Sequence, residues 1–165
     1  MWTVAALAFA MLVAGPVLAQ DDAETFNSIT GTTLVDMLRD QGFSASLTLD
    51  SHGEPLILAE AGGVHFQILT YGCNGDRNPS CSRLQMISQM HLPNGATEAD
   101  IAMMNAYNQR FLFGRAYLDV YGTATVDYSI NLNQGISEDN LIDDLNIWTH
   151  VLYQFVNGLG WSVSS

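Results

Sequence analysis

Cys73 and Cys81 are the only cysteines in the sequence, and the run NGDRNPS separates them. Thiol redox chemistry favours a CxxC-like spacing with one thiol at a helix N-terminus, where its pKa falls. A run of turn formers between two strand-like segments, Val64–Tyr71 and Arg83–His91, supplies neither. The spacing therefore favours a structural disulfide across a hairpin. With Cys73 opposite Cys81, Ile68 faces Met86, Thr70 faces Leu84 and Val64 faces Met90, so the large apolar side chains share one face. A slip of one residue would set that apolar row against Gln85 and Gln89.

The remaining chemistry-bearing residues are scattered. His52, His65, His91 and His150 form no HxxH, HExxH or Cys/His pattern, so no metal centre is expected. Asp143 and Asp144 could be paired acid–base carboxylates, but neighbouring helical positions diverge by about 100°, which favours a solvated acidic face. Gly42-Phe43-Ser44-Ala45-Ser46 falls short of a nucleophile elbow, because Ser46 stands where the second glycine is needed and no strand precedes the turn. All five basic residues are arginines. The absence of lysine excludes a lysine-bearing P-loop, a Schiff base and a Ser–Lys dyad. A formal net charge of -12 opposes contact with nucleic-acid phosphates.

One segment does concentrate binding chemistry. Tyr107-Asn108-Gln109-Arg110-Phe111-Leu112-Phe113-Gly114-Arg115 holds two of the five arginines among aromatics, the residue types enriched as anchors of protein interfaces. Tyr107, Arg110, Phe111 and Arg115 are the candidate partner-binding residues. The competing expectation is that Phe111 and Phe113 pack into the core while Arg110 and Arg115 pair with carboxylates such as Asp119 or Asp127.

The elements that position these residues follow from patterning. Residues 1–19 end in Val17-Leu18-Ala19 after a short apolar run interrupted by Gly15-Pro16, which reads as an export signal cut after Ala19. That run is too short for a bilayer span of about 20 apolar residues. No cysteine follows Ala19, so no lipid anchor is expected after cleavage and the product is periplasmic or secreted. Residues 20–31 form a polar leader, and 32–160 a single domain. Thr32 is expected to cap a helix bearing Leu34, Val35, Met37 and Leu38, ended by Gly42. Strands follow at Ala45–Leu49 and Pro55–Ala59, then the hairpin, then a helix capped by Thr97 with Asp100 in the capping-box position and running to about Gln109. In Arg115–Val120 and Ala124–Leu132 the even positions are apolar, and a three-residue loop, Tyr121-Gly122-Thr123, sets Leu118 opposite Val126. The last helix begins at Ser137 with the stripe Leu141, Leu145, Trp148, Leu152, Phe155 and Leu159. The class is α+β, an antiparallel sheet packed by helices.

The runs FQILTYGCNGDRNPSCSRLQ, MNAYNQRFLFGRAYLD and NLNQGISEDNLIDDLNIW resemble the YbjN domain family, labelled bacterial sensory transduction regulators. The resemblance covers roughly residues 32–158. It implies a fold like that of type III secretion chaperones, no agreed catalytic residues and no cofactor. The expectation is an exported, non-enzymatic protein-binding or chaperone-like regulatory module, with a protein partner and a homodimer both compatible. The alternatives are a periplasmic thiol oxidoreductase and a small-ligand sensor.

Overall fold

Thr30, two residues earlier than expected, caps the first helix: its hydroxyl accepts from Thr33 N–H, and helix α1 runs Gly31–Asp40. The computed structural model describes residues 24–92 and 94–160; the export signal expected at residues 1–19 lies outside them. Two short strands precede α1, β1 at Thr25–Phe26 and β2 at Ile29–Thr30. Phe26 and Ile29 are buried, so part of the stretch read as a polar leader enters the core. All four apolar positions expected for α1, Leu34, Val35, Met37 and Leu38, are buried.

Strands β3 (Ser44–Leu49), β4 (Pro55–Ala61), β5 (Val64–Asn74) and β6 (Ser80–Met90) form successive antiparallel hairpins. In the β5–β6 pair Ile68 lies opposite Met86, Thr70 opposite Leu84 and Cys73 opposite Cys81, the expected register, and the two cysteines are bonded. Apolar pattern and crosslink select the same parity, but the large apolar side chains do not all share one face: Leu69, opposite Gln85, and Ile87, opposite Gln67, point to the other. Replacing both cysteines by serine is expected to lower stability by up to about 2.5 kcal/mol, the chain-entropy value for a loop of about 9 residues, while the apolar face keeps the hairpin paired. Urea midpoints of parent and variant under non-reducing conditions test this; equal midpoints would show that the crosslink contributes nothing.

Helix α2 (Glu98–Arg110) starts from a complete capping box, with Thr97 and Asp100 satisfying each other's backbone N–H. Strands β7 (Arg115–Leu118) and β8 (Ala124–Asn131) follow, and β8 pairs with both β7 and β6. The main sheet thus has the order β3-β4-β5-β6-β8-β7, with β2 joined to β6 beyond the end of β8. Leu118 faces Ala124, not Val126. The connection is five residues, because the Asp119 carboxylate accepts from Tyr121 and Thr123 N–H and draws residues 119–123 into the turn. Parity survives the shift of two. Val120, expected to be a strand residue, lies 92% exposed in that turn.

The sheet lies on one side of a single layer of helices. Ser137, in the short strand β9 (Ile136–Ser137) that pairs with β1, caps helix α3 (Glu138–Gly158). Leu141, Leu145, Trp148, Leu152 and Phe155 of its stripe are buried, and Leu159, just past the helix, is half-buried. Trp148 meets Phe66 of β5 edge to face at 5.7 Å, which shows the even positions of β5 facing α3. In the described residues no helix is long and apolar enough to cross a membrane.

Candidate functional site

The odd positions of β5, β6 and β8 alternate with those that face the helices, and most are exposed or half-buried, while Cys81, Thr125 and Asp127 are buried. Strand registers align Ser46, Leu58, Gln67, Ile87, Asp127 and Arg115 in one row across all six strands of the path. At the middle of this face lies a cleft of about 610 Å³ lined by Ser46, Leu58, His65, Gln67, Ile87 and Gln89. A smaller one, about 240 Å³, lies between Tyr71, Arg83, Gln85 and Asn131.

Asp127 anchors one end of the row. β8 is an interior strand, and its neighbours close over the carboxylate, leaving the residue 4% exposed. Arg115, directly opposite, donates through Nε to Oδ1 at 3.2 Å and through a second nitrogen to Oδ2. Gln85 Nε2 donates to Oδ2 at 2.8 Å, and Tyr117 Oη at 3.4 Å. Tyr71 Oη in turn donates to Gln85 Oε1 at 2.9 Å. The Arg115 guanidinium also lies 5.1 Å from the Tyr117 ring centroid. Burial, and then the nearby carboxylates, raise the pKa of both Tyr71 and Tyr117 above the ordinary phenol value, so both remain hydrogen-bond donors at neutral pH. Hydrogen bonding to Asp127 raises Arg115 further. The result is a neutralised polar platform beside Ile87.

The Tyr107–Arg115 segment is divided by this geometry. Tyr107 is buried on α2, meets Phe111 in a tilted contact at 4.8 Å and Phe155 edge to face at 6.0 Å, and burial alone pushes its pKa up to about 12. Phe111 is half-buried, with the exposed Arg110 guanidinium 5.4 Å from its ring. Arg110, Phe111 and the fully projecting Leu112 lie by α3, where Phe113, Ile147, His150 and Gln154 edge a groove of about 230 Å³. Arg115 belongs to the uncovered sheet face instead. Adjacent strand positions point to opposite faces, so the strand start at Arg115 separates it from Arg110 and Phe111.

Other sequence candidates are equally dispersed. His52 and His65 approach single carboxylates, Asp50 and Glu60, at 3.6 Å. Among the described residues no three His, Cys, Asp or Glu side chains gather to hold a metal. Asp144 accepts from Tyr128 Oη at 2.6 Å while Asp143 is exposed. The uncovered face itself went unread in the sequence, although Leu56, Leu58, Leu69 and Ile87 at supposedly outward positions carried the signal.

No curated protein and no solved structure matches this chain. A family model does match, over residues 30–161, and its description is "Putative bacterial sensory transduction regulator". That span takes in the helices, the main sheet and the disulfide hairpin, and the chain belongs to the YbjN family.

Proposed function

We propose that this protein is an exported, non-enzymatic, chaperone-like regulatory module that receives an apolar segment of a partner protein on the uncovered sheet face. The observation that carries this reading is the face that holds the row from Ser46 to Arg115, where Leu58 and Ile87, on either side of Gln67, lie next to the paired Leu56 and Leu69, and Gln85, Asp127 and Arg115 hold one another at one end. Such a surface resembles an interface core within a polar rim. The Cys73–Cys81 bond supports export, since disulfides persist in oxidising compartments. The family description names a regulator and no reaction.

Photo-crosslinking amino acids at Leu58 and Ile87, with Tyr153 on α3 as the control position, test the reading in intact cells. The expected result is capture of the same envelope protein from both sheet positions, with capture from position 87 lost on Leu58→Arg, in a variant whose melting temperature is nearly unchanged because Leu58 is 42% exposed. Capture from Tyr153 alone, or none from the sheet, would overturn it. N-terminal sequencing of this protein recovered from cells should begin at Gln20 if the export signal is cut as expected.

A further inference from the structure

The two edges of the six-strand path are finished differently. On β7, the Asn108 side chain from α2 donates to Ala116 O at 2.8 Å and accepts from Ala116 N–H at 2.9 Å. A carboxamide presents the same donor and acceptor as a peptide group, so Asn108 occupies the place of the next strand and blocks that edge. On β3 no side chain among the described residues does the same. The bond from Asp50 N–H to Glu54 O sets the alternation, so that Ser44, Ser46 and Thr48 bond to β4 while the backbone groups of Ala45, Leu47 and Leu49 point outward. Arg39 donates twice to Ala45 O, at 3.1 and 2.9 Å. Among the described residues, the outward groups of Leu47 and Leu49 receive no such side-chain cover.

We propose that β3 is a self-association edge, at which two copies of this chain join antiparallel about a two-fold axis through Thr48. This goes beyond the binding role proposed for the sheet face and does not rest on it. In this register Leu47 lies opposite Leu49 of the second copy and the reverse, and the outward N–H and C=O of both residues make four bonds. Arg39 keeps Ala45 O. The Leu47 and Leu49 side chains, 40% and 62% exposed, come side by side with those of the second copy. Charge complements the pairing: β3 has no charged residue in a chain of net charge -12, and Ala45 with its Arg39 comes opposite Ser51, next to Asp50 of the second copy, once on each side of the axis. An isologous contact of this kind closes at two copies. Ser44 and Ser46 line the 610 Å³ cleft, so the two clefts would lie side by side across the axis.

The register supplies its own test. Thr48 meets its own copy as a non-hydrogen-bonded pair, about 4.5 Å between Cα atoms and within disulfide reach, whereas Ser46 meets Asp50. Under mild oxidation of the purified protein, Thr48→Cys is expected to form a crosslinked dimer at least tenfold faster than Ser46→Cys. Sedimentation of the parent should show a concentration-dependent dimer, and Leu47→Lys with Leu49→Lys should remain monomeric with an unchanged circular dichroism spectrum. A parent that stays monomeric to millimolar concentration, or equal crosslinking at the two cysteines, would overturn the proposal.

Discussion

Trp148→Ala is expected to destabilise the protein by about 3–5 kcal/mol, the range for truncating a fully buried aromatic. Trp148 has no exposed surface and lies where α3 meets the sheet, edge-on to Phe66, which in turn meets Phe43 at 6.0 Å. Truncation removes the side chain that joins the helix layer to β5, and the surrounding aromatics can close only part of the cavity. Against a typical total of 5–15 kcal/mol, that loss puts the variant near unfolding. The indole Nε1 is buried with no hydrogen-bond partner among the described residues. Trp148→Phe removes that unpaired donor along with part of the ring, so its cost should be well under that of the alanine variant. Urea denaturation followed by far-ultraviolet circular dichroism measures both. A loss below about 1 kcal/mol for Trp148→Ala would contradict the docking of α3 on β5.

Gly114→Val is expected to cost about 2–5 kcal/mol by adding two independent penalties. Gly114 has φ +76, a left-handed conformation that costs a residue with a Cβ about 1–2 kcal/mol. Its Cβ would lie 2.7 Å from Val151 Cγ1 and 3.1 Å from Tyr107 Oη, and overpacking of this kind adds about 1–3 kcal/mol. The effect should extend beyond stability, because Gly114 is the link that turns the chain from Phe113 beside α3 to Arg115 on the opposite sheet face. A double-mutant cycle separates the two penalties: Val151→Ala should relieve the steric part and leave the backbone part. If Val151→Ala and Gly114→Val are simply additive, the close approach described here is wrong.

Local rules were legible wherever neighbours in sequence decide the outcome. The capping box at Thr97 and Asp100, the cap at Ser137, and the stripe from Leu141 to Phe155 depend on residues within a few positions of one another. The β5–β6 register was legible because an apolar alternation and a crosslink each select the same parity. The β7–β8 loop was not. Alternation specifies parity only, and the choice between three and five residues rested with the Asp119 carboxylate collecting two backbone N–H groups.

The sequence by itself determined an α+β chain, its helix stripes, its hairpin crosslink and an acidic charge that opposes nucleic acid. Those properties are set by residue type and short-range period, which survive without knowledge of long-range neighbours. Only the tertiary structure decided that Asp127, at an outward position of an alternating strand, is buried between Arg115 and Gln85, since its burial comes from strands 12 and 42 residues away in sequence. Strand order likewise separated Arg115 from Arg110 and left one face of the sheet open. Sheet order is a matter of which distant strands pair, and periodicity within a strand carries no record of its partner.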